Sequence, residues 1–294
     1  TLTGNTFDGN TSTGNGGGLI ANDTVTLIRN QIKNNTASGC GGGISTQGLS
    51  LEDGDLIQNN TALNGGGLCV ENKKGGAIYQ NLVIINNKGT SNGSGIYVNR
   101  STSTGSVNLR HLTINGNTGG DGAGVTVNLG TVGFVNTIIA NQTVGVQNIS
   151  GSPSFDHTLR YQVTTPVVGA VSDVFAIEGD PAFASDGYHL TQTSAAIDAG
   201  ITTTVNDDVD GSARPLGDAP DIGAVESPYT PNLPEGIQAS QLAGTPRWVM
   251  QWDASSNSTR FILQQDYLVN FSYGNSDNAA PISSYSVKDS FPNA

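Results

Sequence analysis

Ile32-Lys33-Asn34-Asn35-Thr36, followed by Gly41-Gly42-Gly43-Ile44, is the stretch of sequence that decides the fold. Its first phrase places an apolar residue three positions before an asparagine. The same spacing occurs at Phe7/Asn10, Ile57/Asn60, Ile84/Asn87, Ile114/Asn117 and Ile138/Asn141. Successive asparagines are 25, 25, 27, 30 and 24 residues apart, and a glycine-rich phrase follows each one. Repeats of nearly constant length predict a solenoid, in which each copy buries its apolar residues by stacking on its neighbours.

Short alternating runs within the repeats indicate strands. Examples are Ile44-x-Thr46, Leu68-x-Val70 and Ile96-x-Val98. A period of two places both members of each pair on one face of a strand. The glycine, asparagine and β-branched content argues against helical repeats, and no Leu-x-x-Leu-x-Leu pattern is present. Three short strands in each repeat therefore predict an all-β fold, a right-handed parallel β-helix with about 25 residues per coil.

The chain divides into three predicted sections. Residues 1–150 form the β-helix coils, and residues 151–226 form terminal coils and a closing motif. Residues 227–294 form a proline-rich linker and a small C-terminal β section. In that section, the β-prone runs 247–252 and 260–265 predict a hairpin around a polar loop.

The repeated asparagines and glycines are interpreted as structural. Asparagine tolerates left-handed backbone at strand ends, and glycine permits close backbone approach. Stacked on neighbouring coils, the asparagines are predicted to form a side-chain ladder along the axis. Its members are Asn10, Asn35, Asn60, Asn87, Asn117 and Asn141. The alternative is N-glycosylation, because several asparagines begin Asn-x-Ser/Thr sequons; some of these coincide with the turns.

Composition restricts the partners. The chain has 24 acidic and 12 basic residues, and its net charge of −12 argues against nucleic acid. The acidic balance is compatible with divalent cations and with an extracellular location, and no transmembrane stretch is visible. Cys40 and Cys69 are about five positions out of register relative to the glycine phrases, so we expect them to remain unbridged. No zinc-binding signature is present.

A series of phrases closes the regular part of the chain. In order these are Asp180-Pro181-Ala182-Phe183, Tyr188-His189-Leu190, Ser194-Ala195-Ala196-Ile197-Asp198-Ala199-Gly200, Asp208-Val209-Asp210-Gly211-Ser212-Ala213-Arg214-Pro215 and Asp221-Ile222-Gly223-Ala224-Val225-Glu226. The series resembles the end of secreted bacterial β-helix proteins of the choice-of-anchor Q type. More loosely, the repeats resemble those of polymorphic outer-membrane autotransporters. These resemblances imply a secreted or surface-exposed β-helix of pectate-lyase-like shape, without one defined activity.

The closing motif contains a candidate metal site. Asp207, Asp208 and Asp210, followed by Gly211, resemble a calcium loop, because carboxylates beside a glycine turn can converge on a hard cation. The alternative is structural: Asp210 and Asp221 pair with Arg214 and fasten the closing motif over the last coil. Both interpretations remain open from the sequence.

Catalysis is not expected. Polygalacturonase-like enzymes carry Asn-Thr-Asp, Asp-Asp, Gly-His-Gly and Arg-Ile-Lys phrases on successive coils, and only Asp207-Asp208 is similar here. The three histidines, His111, His157 and His189, have no visible partners at matching coil positions. A polysaccharide lyase or hydrolase therefore remains only an alternative prediction.

The favoured hypothesis is a non-catalytic extracellular or cell-surface structural protein that forms homo-oligomers or filaments. Open β-helix ends present unpaired strand edges, and head-to-tail contact that does not close produces a filament. Candidate assembly residues lie at both ends of the chain: Thr1, Leu2, Thr3, Trp248 and Trp252. The alternative is an adhesin or glycan-binding module that uses an exposed Tyr97 and the loops within 73–104.

Overall fold

The computed structural model describes residues 1–22, 25–47, 50–71, 77–100 and 106–229, and four later strands. For residues 50–52 and for the four later strands, only the backbone is described. The chain divides into two compact units, Thr1–Thr230 and Pro231–Ala294.

Every element that the structure describes in the first unit is a strand. In chain order they are β1 (Leu2–Thr3), β2 (Thr6–Asp8), β3 (Thr11–Ser12), β4 (Leu19–Ala21), β5 (Val25–Ile28), β6 (Gln31–Lys33), β7 (Thr36–Ala37), β8 (Ile44–Thr46), β9 (Ser50–Asp53), β10 (Leu56–Gln58), β11 (Thr61–Asn64), β12 (Leu68–Val70), β13 (Ala77–Gln80), β14 (Val83–Ile85), β15 (Lys88–Asn92), β16 (Ile96–Asn99), β17 (Val107–Arg110), β18 (Thr113–Asn115), β19 (Ala123–Leu129), β20 (Thr131–Asn148), β21 (Ser152–Val168) and β22 (Ser172–Glu178).

Apart from strands at the ends of the sheets, such as β15 and β22, the strands pair in parallel with the equivalent strand one coil later. Along one face, Phe7 is in register with Ile32, then Ile57, Ile84 and Ile114. A separate parallel sheet joins β3, β7, β11 and β15. The structure therefore confirms the parallel β-helix predicted from the repeats.

Large apolar side chains stack inside the coils. Tyr79, Leu109, Phe134 and Phe155 occupy successive positions of one inward column and are all buried. The rings of Phe134 and Phe155 are stacked with centroids 4.3 Å apart. This column lies in one core cluster with the isoleucines that precede the asparagines. Stacking of equivalent residues thus lets short coils share one continuous core.

Consecutive asparagines have different roles at each corner. Asn34, Asn59 and Asn86 adopt positive φ angles of 55°, 56° and 55°, which asparagine tolerates better than most residues. The asparagines that directly follow them, such as Asn35 and Asn60, are fully buried. The first asparagine therefore turns the chain, and the second enters the interior.

The buried asparagines form a hydrogen-bonded ladder. The side-chain oxygen of Asn35 accepts from the backbone N–H of Asn10 at 2.8 Å, and Asn60 accepts from Asn35 at 2.9 Å. The same contact recurs from Asn60 to Asn87 and from Asn87 to Asn117.

The predicted sixth member, Asn141, does not belong to the ladder. Ile114 is in register with Ile139 rather than Ile138, so the repeat is displaced by one residue in this coil. Asn141 is an exposed corner residue with φ of 53°, and the buried position above Asn117 belongs to Gln142. Among the described residues, neither amide atom of Gln142 has a hydrogen-bond partner.

The parallel coils continue beyond residue 150. Strand β21 pairs with β20 from Ser152 to Val168, and β22 then pairs with β21. The predicted terminal coils are therefore these two strands. In the described part of the chain, no strand pairs with the second edge of β22.

The C-terminal unit contains four described strands, β23 (Glu235–Gln241), β24 (Trp248–Asp253), β25 (Phe261–Gln265) and β26 (Tyr285–Asp289). Strand β24 pairs antiparallel with β23, and β25 pairs with β26. The predicted hairpin between 247–252 and 260–265 is therefore wrong, although both runs are strands. Each run is paired with a strand whose sequence signal was weaker. The side chains of Trp248 and Trp252 lie outside the described part of the structure.

Candidate functional site

The chain after β22 returns along the outside of the coils. We call residues 179–227 the closing segment. The amide of Asn136 donates to the carbonyl of Ile201 at 2.7 Å, and Arg110 donates to the Thr204 hydroxyl at 2.9 Å. Arg29, four coils before Asn136, pairs with Asp207 at 2.5 Å. The closing segment therefore crosses several coils laterally, whereas the sequence predicted fastening over the last coil only.

Apolar contacts hold the closing segment against this side of the coils. Val83 and Ile85 alternate with the inward-facing Ile84 and therefore point away from the core of the coils. They are nevertheless buried, because they form a second apolar cluster with Val209 and Val225. The closing segment thus explains why these outward positions carry aliphatic residues.

An ion pair without solvent exposure fixes the end of the closing segment. A terminal nitrogen of Arg214 donates to a carboxylate oxygen of Glu226 at 2.6 Å, and both side chains are fully buried. Arg214 also donates to the backbone carbonyls of Asp221 and Gly223. The prediction that the Asp210 and Asp221 carboxylates pair with Arg214 therefore differs from the structure, which assigns that place to Glu226. The residue was within the quoted motif, since Glu226 ends its last phrase.

Asp221 is buried beside this pair and has its own donors. Its two carboxylate oxygens accept from the backbone N–H groups of Asp198 at 2.8 Å and Ser227 at 2.7 Å. Burial raises the pKa of Asp221 to about 8, and the neighbouring Glu226 charge adds to the effect. The folded protein therefore favours the protonated form of Asp221 more than the unfolded chain does, although the two backbone donors act in the opposite direction.

The three predicted calcium ligands have different partners. The Asp207 carboxylate pairs with Arg29, and that of Asp210 pairs with His189. The buried Asp208 carboxylate accepts from three backbone N–H groups, those of Asp210, Ser212 and Glu226. A cation bound at these three carboxylates would therefore compete with the partners that each carboxylate already has. Calcium binding stays a prediction, and a melting temperature that rises with calcium and falls with chelator would support it.

His189 joins two acidic side chains at the edge of the closing segment. Its Nδ1 lies 2.6 Å from Asp186 and its Nε2 lies 2.8 Å from Asp210. Burial acts to lower the pKa of His189, but the two hydrogen-bonded carboxylates raise it above its ordinary value. This arrangement favours an imidazolium that donates from both nitrogens.

The other two histidines are also in structural contacts. Nε2 of His111 lies 3.0 Å from the Thr203 hydroxyl and 3.2 Å from the Asn136 amide nitrogen. Burial, together with the Arg214 charge, lowers the pKa of His111 to about 3, so its ring is neutral. His157 contacts the carboxylate of the adjacent Asp156 at 2.7 Å.

Cys40 and Cys69 form a disulfide, so the prediction of unbridged cysteines is wrong. Their Cα atoms are 5.6 Å apart. In linear register Cys69 pairs with Ser45, five positions after Cys40. The chain turns sharply at Gly41, where φ is 73°, and this corner brings Cys40 back beside the strand. The offset of five positions assumed an extended chain, whereas the turn at Gly41 shortens the distance between the two cysteines.

The adhesin hypothesis required an exposed Tyr97, and the structure contradicts this. Tyr97 is 9% exposed and forms a small cluster with Cys40 and Cys69. Of the loops predicted within 73–104, residues 72–76 and 101–105 lie outside the described residues. The loop predicted at residues 88–93 is wrong, because Lys88–Asn92 form strand β15, which pairs in parallel with β11.

Comparison with known proteins identifies one family match. A model of the Chlamydia polymorphic membrane protein repeat matches residues 31–47, which contain β6, β7 and β8. No curated protein and no solved structure matches the chain. The chain therefore resembles the polymorphic membrane proteins in its repeat, as the sequence predicted. Among the described residues, no helix has the length and apolar character needed to span a membrane.

Proposed function

We propose that this protein is a non-catalytic structural protein of the cell surface, and that its copies assemble head to tail through the β-helix. The match to the polymorphic membrane protein repeat supports a surface or outer-membrane association. A β-helix supports a structural role because its continuous core and parallel pairing make an elongated, regularly hydrogen-bonded scaffold. An extracellular location agrees with the disulfide.

The edge of β22 is the observation that carries the assembly proposal. Its outer backbone groups have no strand partner among the described residues. Val174 and Phe175 on this strand are 47% and 68% exposed. An unpaired strand edge with apolar side chains favours addition of another strand, and stacking of one copy on the next does not close.

Sedimentation and electron microscopy of the full chain test the assembly. We expect association that increases with concentration and fibres in which each coil contributes about 4.8 Å. Val174→Lys should disperse the fibres, because a charge on a strand edge opposes pairing. Leu63→Lys is the matched control, since Leu63 is 47% exposed on a coil remote from β22. A wild-type monomer at high concentration, or equal assembly of both variants, contradicts the proposal.

The absence of catalysis is tested separately. Incubation of the purified protein with polygalacturonate and other acidic glycans should produce no unsaturated product and no new reducing ends. Release of either product would replace the structural proposal with a polysaccharide-degrading enzyme. The burial of Tyr97 removes the aromatic contact on which the glycan-binding alternative depended.

A further inference from the structure

Three side chains of types that can bind metal ions, two of them joined in the disulfide, meet on the outer side of the sheet that contains β8, β12 and β16. Cys69 and Glu71 are two positions apart, so they point to the same side of the strand. Cys40 reaches them from the corner of the preceding coil. The two sulfur atoms and a Glu71 carboxylate oxygen lie within 4.8 Å of one another. No other three acidic, histidine or cysteine side chains in the described ranges approach so closely.

A single asparagine, Asn15, holds this group in place. The side-chain oxygen of Asn15 accepts from the backbone N–H of Cys40 at 2.9 Å. The amide nitrogen of the same residue donates to a Glu71 carboxylate oxygen at 3.3 Å. One asparagine therefore positions both the corner and the carboxylate.

The sulfur atoms are enclosed and the carboxylate is open. Cys40 and Cys69 are buried and pack against Tyr97, whereas Glu71 is half-buried. A cation at this place would have thiolate ligands on its protected side and solvent on the side of Glu71. Such a three-ligand set with one position left for water suits zinc-like ions, whereas calcium prefers oxygen ligands.

We propose that the reduced protein binds one thiophilic divalent cation, Zn²⁺ or Cd²⁺, through Cys40, Cys69 and Glu71. The cation then replaces the disulfide as the cross-link between two coils. The ligand atoms need only small side-chain rotations, since metal–sulfur bonds of about 2.3 Å place ligands within about 4 Å of each other.

The conversion requires a reductant and takes place in two steps, of which only the second releases protons. A phosphine reduces the disulfide: the sulfur–sulfur bond breaks and each sulfur gains a proton from one water molecule. The phosphine takes the oxygen of that water and becomes a phosphine oxide. Metal binding then displaces the two thiol protons and leaves two thiolates on the cation.

Titration of the reduced full chain with Cd²⁺ tests the proposal. We expect an ultraviolet sulfur-to-cadmium charge-transfer band that saturates at one equivalent, with a rise in melting temperature. A thiol reagent must count two free cysteines before the titration. The proposal is overturned by the absence of the band in this reduced protein. It is equally overturned if Cd²⁺ binds only after the β-sheet circular dichroism is lost.

Substitutions distinguish the three-ligand site from a simple dithiol. Cys40→Ser should abolish the saturable band. Glu71→Gln should keep the band but weaken Cd²⁺ affinity at least tenfold, because one ligand loses its charge. Asp218→Asn is the control for loss of one carboxylate charge, since Asp218 is exposed on the closing segment and should leave affinity unchanged. Equal affinity of Glu71→Gln and the wild type would exclude the carboxylate and overturn the assignment.

Discussion

At the scale of single residues, neighbouring side chains of the same type have separate physical roles. Asn34 and Asn59 are corner residues with positive φ, while Asn35 and Asn60 are rungs of the buried ladder. The repeat spacing was sufficient to predict a ladder, because identical residues one coil apart are brought into register. The repeat spacing could not show that Asn141 lies outside the ladder. Because the coils vary in length, a displacement of one residue cannot be recognised from the spacing alone.

The ladder predicts a large cost for removing one interior amide. In Asn60→Ala, the backbone N–H and side-chain amide of Asn35 lose their shared acceptor. Buried donors without acceptors are costly, so we expect a loss of about 3 kcal/mol in unfolding free energy. Denaturant unfolding measures it. Asn141→Gly, at an exposed corner, should change stability by less than about 0.5 kcal/mol; similar losses in both variants would contradict the ladder's importance.

A second, shorter ladder ends on a carboxylate. Asp55 accepts from the backbone N–H and side-chain amide of Asn30 at 2.7 and 2.9 Å. Its second oxygen is buried and has no hydrogen-bond partner among the described groups. Burial raises the pKa of Asp55 to about 7. The carboxylate therefore occupies a place suited to a neutral side chain.

Asp55→Asn should stabilise the protein at alkaline pH. An amide at this position can donate to the Leu27 carbonyl, as Asn30 donates to Leu2 and Asn60 donates to Ile32. We expect a gain of about 1–3 kcal/mol at pH 8 that becomes small near pH 5, where Asp55 is protonated. Unfolding at both pH values measures it, with the exposed Asp218→Asn as control. A gain that is independent of pH would contradict ionisation as the cause.

At the scale of elements, the closing segment is held by contacts of unequal strength. The Arg214–Glu226 pair is fully buried, whereas the Arg29 and Asp207 side chains are 37% and 40% exposed. Its phrases were recognisable in sequence, and Arg214 was correctly singled out for pairing. Its acidic partner and its lateral path were not predictable, because both depend on where the segment crosses distant coils.

Arg214→Met should destabilise the first unit strongly. The substitution leaves Glu226 as an uncompensated buried charge, which costs about 3–5 kcal/mol when one partner of a buried pair is removed. Arg29→Met removes a half-exposed pair and should cost about 0–1 kcal/mol. Denaturant unfolding at pH 7 compares them. Equal effects would indicate that burial of the Arg214 pair contributes nothing specific.

At the scale of the whole molecule, buried acids determine the pH dependence of stability. The raised pKa values of Asp55, about 7, and Asp221, about 8, mean that folding favours their protonated forms. Their contribution is complete below the ordinary aspartate pKa and is lost as pH rises through 7 and 8. His111 has the opposite effect. Its pKa in the folded state is about 3, so the folded protein loses stability as the pH falls below the ordinary histidine pKa.

The melting temperature should therefore rise as pH falls from 8 to 5. Asp55, Asp221 and His189, whose pKa values are all raised in the folded state, favour folding in this direction, and His111 opposes them. Each group changes stability by up to about 1.4 kcal/mol per pH unit within its own range. Calorimetry at several pH values measures the slope, and Asp55→Asn should reduce it below pH 7. A maximum near pH 8 would contradict the assigned protonation states.

The sequence by itself determined the parallel β-helix, because the spacing of isoleucine, asparagine and glycine records which residues stack. Local periodicity carries that information directly. Only the tertiary structure decided the Cys40–Cys69 bridge, the partner of Arg214 and the pairing of the C-terminal strands. These features depend on corners and crossings that bring together residues at no fixed spacing. The path of the folded chain determines which of these residues meet, so their contacts produce no periodic pattern in the sequence.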